Sequence, residues 1–178
     1  MLILYHRQAN LLGVFWFEGY NIDMSVIEKA LELLKVREFI AVATADKIGK
    51  PNSAPKFVLK VNGRTVYFID YSIGKTFENI KVNPEVSLSL ININSILGYR
   101  LNGKVEIIEK GEIYDECLKE LREKEIELSV ERIVKGVKDG KSHKEFESEL
   151  PERFLVYMVK IEEGCEISPS GKIKREDG

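Results

Sequence analysis

The chain is poor in the residues that most often carry chemistry on their own. Its 178 residues include two cysteines, Cys117 and Cys165, two histidines, His6 and His143, and one tryptophan, Trp16. Two cysteines so far apart form no zinc or redox motif and no disulfide framework. A reducing, cytoplasmic setting is therefore expected. Neither histidine has neighbours at metal-ligand spacing, so both read as surface residues and no metal is expected. No apolar run approaches a membrane span: Leu11-Leu-Gly-Val-Phe-Trp-Phe17 is seven residues long. A formal net charge of −2 offers no general attraction to nucleic acid or acidic membranes. Internal repeats and low-complexity segments are also missing.

What is there suits a folded domain. Hydrophobic residues make up 44% and charged residues 31%, which is neither a disordered nor a membrane composition. Residues 1–23 read as an N-terminal arm that packs on the domain or on a partner subunit. The alternatives are a signal segment, although Glu18-Gly-Tyr-Asn-Ile-Asp23 offers no cleavage site, or Met24 as the natural start. Residues 24–178 are expected to form a single domain.

Ser25-Val-Ile-Glu28 is a capping box, and Ile27, Ala30, Leu31 and Leu34 recur at helical spacing, predicting a helix to about Val36. Phe39–Ala45 reads as a core strand. The turn Asp46–Pro51, a strand from Asn52 to Val61 and the Asn62-Gly63 hairpin signal follow, and Arg64–Asp70 pairs back. Val86–Ile93 and Tyr99–Ile108 alternate apolar with polar residues and predict two more strands. Residues 111–150 read as a helical insertion. In it Ile113, Cys117 and Leu121 share one face, Ile126, Val130, Ile133, Val134 and Val137 another, and Ser142–Glu145 is a second capping box. Arg153–Ile161 is a sixth strand, and Ser168–Lys172 with the charged end reads as a loose tail. The fold expected is mainly β with peripheral helices (α+β), an antiparallel six-stranded barrel.

One stretch stands out, Asp70-Tyr-Ser-Ile-Gly-Lys-Thr-Phe-Glu-Asn-Ile80. A strand leads into a glycine turn, and Lys75-Thr76 opens a short helix, so backbone N–H groups, an ammonium and a hydroxyl converge as a phosphate would require. An ordinary N-capped surface helix with an exposed lysine is the competing reading. Gly74-Lys75-Thr76 also looks like the end of a P-loop, but the glycine which that motif needs five residues earlier is Ile69. Nucleotide triphosphate hydrolysis is excluded.

Several words in order, Ala43–Lys56, Val66–Asp70, Gly74–Ile80, Asn83–Val86 and Gly98–Gly103, resemble the pyridoxamine 5′-phosphate oxidase-like, FMN-binding split-barrel proteins. The resemblance covers about residues 25–110 well and the strand near 154–163 more loosely. It implies a split β-barrel and a homodimer with FMN in a groove between subunits. Lys75 and Thr76, with Lys56 on the preceding strand, are implied to hold the phosphate. Ile69, Asp70, Tyr71 and Ser72 are implied to run beside the isoalloxazine ring, and Asn79 and Ser53 are further candidates. Relatives also use deazaflavin or haem, and deazaflavin stays open as the alternative cofactor.

No residue stands out as a general acid, base or nucleophile, which leaves the redox chemistry to the flavin. The expected function is an FMN-dependent oxidoreductase passing electrons from a donor such as NAD(P)H to a small-molecule acceptor. A non-enzymatic FMN-binding or electron-carrier protein is the alternative. A barrel that binds nucleic acid would want stacked aromatics among basic residues, and Tyr67, Phe68, Tyr71 and Tyr99 in an acidic chain suit that poorly. Neither nucleic acid nor membrane is an expected partner.

Overall fold

A computed structural model describes residues 24–70, 73–124 and 154–177. The arm 1–23, the second helical face after residue 124 and the capping box at Ser142 lie outside the described residues. Helix α1 (Val26–Lys35) is followed by β1 (Phe39–Ala45), β2 (Pro51–Asn62) and β3 (Thr65–Asp70). Then come α2 (Lys75–Val82), β4 (Glu85–Asn92), β5 (Leu97–Ile108), α3 (112–124), β6 (Leu155–Ile167) and β7 (Ile173–Asp177). The sheet runs β3-β2-β1-β4-β5-β6-β7, and β3 also pairs with β6. Six antiparallel strands thus close into a barrel, as expected for a split barrel, and β7 extends β6 beyond it.

Burial follows the strand alternation. Ile40 and Val42 of β1, Val66 and Phe68 of β3, Leu88 of β4, Leu101 of β5 and Tyr157 and Val159 of β6 meet in the interior. The apolar stripe of α1 joins that cluster, and each fully buried Ile or Leu contributes roughly 1.5–3 kcal/mol. The predicted capping box is present: Ser25 Oγ accepts from the Glu28 N–H at 3.2 Å, and Glu28 Oε2 accepts from the Ser25 N–H at 2.8 Å. Helix α1 approaches β6 closely at Gly164, where a Cβ would lie 2.5 Å from Ile27 Cγ1. At Gly103 the β5–β6 register shifts, and a Cβ would fall 2.0 Å from the Lys160 carbonyl oxygen. Any side chain there forces the two strands apart.

A second cluster lies outside the barrel, where α3 covers β2, β3 and β6: Leu59, Tyr67, Ile69 and Val156 pack against Cys117 and Leu121. The face expected for this helix is corrected in part, because Ile113 is 39% exposed. Tyr114 takes its place, stacked on Phe154 at 5.1 Å. Spacing of four plus four drifts around a helix of 3.6 residues per turn, whereas 114, 117 and 121 stay on one stripe.

The charged end is also corrected, from a loose tail to β7. Ser168 and Lys172 close its turn with an N–H···O bond of 2.9 Å, and Cys165 and Arg175 are register partners. Its Glu176 reaches α1: Oε2 accepts from the Ile27 N–H at 3.0 Å, and Oε1 pairs with Arg64 at 3.1 Å. Burial raises the Glu176 pKa, but the helix N–H groups, the Ser25 side chain and Arg64 outweigh it and hold the carboxyl below the ordinary range. Stability from a depressed carboxyl is complete above the unfolded pKa and lost as pH falls through the folded one. Glu176→Gln should therefore cost about 1 kcal/mol at neutral pH. In urea titrations the gap from the parent should close in strongly acidic solution; a gap that persists there would mean the carboxylate charge is not what caps α1.

Candidate functional site

Strand β3 ends at Asp70, and four residues later Gly74 becomes the N-cap of α2. Gly74 sits in extended backbone with no side-chain cap, so the first N–H groups of α2 receive no acceptor from its own cap residue. Among the described residues no side chain caps α2, and the exposed Lys75 agrees equally with the competing surface-helix reading. Lys75 stands at the N-terminus of α2 with its side chain 50% exposed, paired among the described residues only with the exposed Glu78 one turn on, at 3.1 Å. Such a pair contributes little and leaves the ammonium available to an anion.

The inward face of α2 is polar and buried. Thr76 Oγ1 accepts from Asn52 Nδ2 at 3.2 Å, and the same amide reaches Thr44 Oγ1 at 3.3 Å. Asn79 Nδ2 donates to Thr44 Oγ1 at 3.1 Å. Thr44, Thr76 and Asn79 are all buried, and Asn79 Oδ1 has no hydrogen-bond partner. A second tie runs from Asn83 Nδ2 to the Ala45 carbonyl at 3.3 Å. Together these bonds hold both ends of α2 against the ends of β1 and β2.

Lys56 and Asp70 are brought together too, but with each other. Their strands place them side by side, next to the Phe57–Ile69 partners, and the ammonium and carboxylate form an ion pair inside the barrel. The Tyr157 hydroxyl, fully buried nearby, has no hydrogen-bond partner among the described residues. Burial first, and the Asp70 charge second, push its pKa well up. Ile69 lies in a strand paired on both edges, with Phe57 and Val156 as register partners, and its side chain faces the α3 cluster. Ser53 is exposed, on the opposite face of β2 from Asn52. Tyr71 and Ser72 lie outside the described residues.

Other groups are accounted for by the fold. Tyr99 points inside, where its hydroxyl donates to Glu166 at 3.3 Å; burial and that carboxylate push it up to about 12. Arg100 is exposed. Both cysteines are buried, and burial raises the Cys117 thiol, so it packs rather than reacts. No group of metal-binding side chains occurs among the described residues, nor any helix long and apolar enough to cross a membrane. A cleft of about 360 Å³ lies elsewhere, between α1, β2 and α3. Its Lys60 is engaged by Glu116 and Glu120, and its Lys124 by the Val58 and Leu59 carbonyls. Among the described residues, the backbone N–H groups at the start of α2 and the Lys75 ammonium form the arrangement that suits an anion.

Thr44 and Asn52 were not anticipated. The signal was present for Thr44, which continues the buried phase of Ile40 and Val42 and so places a hydroxyl inside the barrel.

Residues 26–163 match the sequence profile of the family described as pyridoxamine 5′-phosphate oxidase. No curated protein matches the chain. Among solved structures, HupZ of Group A Streptococcus is 20% identical, with a TM-score of 0.57 over 79% of this chain and 94% of that one. HutZ, the heme storage protein of Vibrio cholerae, is 17% identical, with a TM-score of 0.53 over 78% and 92%. A pyridoxamine 5′-phosphate oxidase-related, FMN-binding protein of Nostoc punctiforme is 12% identical, with a TM-score of 0.51 over 88% and 98%. At these identities the likeness is one of fold.

The network under α2 makes its own prediction. Thr44→Val keeps the shape but removes the acceptor shared by Asn52 and Asn79, and should destabilise the protein by about 1–3 kcal/mol. The urea midpoint should fall with an unchanged slope; an unmoved midpoint would mean these bonds do not hold α2.

Proposed function

The chain belongs to the pyridoxamine 5′-phosphate oxidase family, and on that premise we propose that it is a flavoprotein with FMN as its cofactor. The observation that carries this reading is the N-terminus of α2, capped by no described side chain, with the exposed ammonium of Lys75 beside it. An FMN phosphate has close to two negative charges, which a helix N-terminus and a lysine can offset. Thr76 is held by Asn52 at the oxygen, so its hydroxyl proton can turn to the phosphate. The residues present therefore fit the phosphate end of the cofactor.

When bound, the flavin supplies the redox chemistry, from a donor such as NADH or NADPH to a small-molecule acceptor. The chain binds and orients it: Lys75 and Thr76 at the phosphate, and residues 71 and 72 beside the ring. A second subunit completing the groove, and a cytoplasmic location, belong to the same proposal. A phosphate-bearing deazaflavin suits the turn equally well. The alternative function is a non-enzymatic flavin carrier.

The purified protein should be yellow, or take up added FMN, with absorption in the usual flavin range; a protein that stays colourless after FMN addition sinks both functions. Anaerobic bleaching by NADH or NADPH would separate the enzyme from the carrier. Lys75→Ala should weaken FMN binding about tenfold or more, the loss of one charge-assisted contact. Its effect on stability should stay within about 0.5 kcal/mol. Equal FMN affinity in parent and variant would remove Lys75 from the site.

A further inference from the structure

Asn52 connects two strands of the barrel to the first turn of α2. It is the register partner of Thr44 across β1 and β2, and its amide nitrogen lies 3.3 Å from Thr44 Oγ1 and 3.2 Å from Thr76 Oγ1. An amide nitrogen carries two hydrogens, so one is spent on each threonine and neither is left for an anion. Thr44 is braced from a second side, because its oxygen also accepts from Asn79 Nδ2 at 3.1 Å. Thr76 is where these bonds reach the helix end. It stands second in α2, is 3% exposed, and uses its oxygen as an acceptor. Its own proton meets no acceptor among the described residues, and a buried donor is rarely left so.

Resting on the flavin reading above, we propose that Asn52 is a positioning residue for the phosphate, holding Thr76 as an acceptor so that its hydroxyl proton is left to donate to the anion. Lys75 acts beside it and independently, through charge. An amide turned the other way would place its oxygen between the two hydroxyls and draw both protons inward. Thr76 would then offer an anion only lone pairs. The direction of one amide in β2 thus decides whether a side chain in the first turn of α2 binds a phosphate or opposes it.

FMN and riboflavin, which lacks the phosphate, test this in a double-mutant cycle read by flavin fluorescence on the full chain. Asn52→Leu and Thr76→Val should each weaken FMN by about tenfold, and the double variant by no more than either alone. Riboflavin should stay within about twofold of the parent throughout. Lys75→Ala added to Asn52→Leu should cost FMN a further factor of about ten. Should Asn52→Leu not fold, Asn52→Asp takes its place. An ionised carboxylate only accepts, so it keeps both threonines engaged and turns the Thr76 proton inward. It should lower FMN affinity more in the parent than in Thr76→Val, where only its charge acts. Losses from Asn52 and Thr76 that multiply would separate the two residues and overturn the proposal. So would an equal loss of FMN and riboflavin, which a merely structural bond would give, or a folded Asn52 variant that binds FMN as the parent does. A parent that binds neither flavin overturns the flavin reading, and this proposal with it, before any variant is made.

Discussion

Strand β3 is six residues long, yet it is paired along β2 on one edge and along β6 on the other, and this double pairing closes the ring. Closure removes the free edges that β2 and β6 would otherwise present to other chains. It also fixes the phase of β3. Val66, Phe68 and Asp70 face the interior, while Tyr67 and Ile69 face α3. A slip of one residue would exchange these sets, putting a carboxylate under α3 and an isoleucine against Lys56. The location of the β3–α2 turn is therefore a consequence of closure.

The interior is apolar through its middle and polar where β3, β1 and β2 approach α2. Apolar groups bury well in many arrangements, whereas hydrogen-bonded groups accept few. Thr44, Asn52, Thr76 and Asn79 restrict α2 to one seating, and Lys56 with Asp70 restricts the strand ahead of it. Whether buried pairs confer such specificity varies between proteins. Here the strand and the helix that they hold flank the β3–α2 turn.

Much of this was legible because it is local. The Ser25–Glu28 cap, the Asn62-Gly63 hairpin and the alternation in β4 and β5 are written within a few residues of where they act. The direction of Lys56 was not, since β2 carries polar residues in both phases, Asn52 and Lys56 in one and Ser53 in the other. Only the pairing of β2 with β1 and β3 decides which phase is inside. Strand β7 was hidden for a related reason: Ile173-Lys-Arg-Glu-Asp177 has no apolar alternation, and it is recruited by the exposed half of β6 and by Glu176. The Lys75 turn was legible as chemistry, but that no described side chain caps it depends on a backbone conformation that sequence does not state.

The bond from Ile27 to Glu176 joins residues 149 apart. During synthesis the first turn of α1 is made early, but the carboxylate that completes it comes among the last of the described residues. A nascent chain can form this helix transiently and cannot lock it until β7 has been translated and laid against β6. The barrel is closed in the same late step, because β6 supplies the second edge of β3. The strands made before β6 must therefore wait unsealed until it arrives to close the ring.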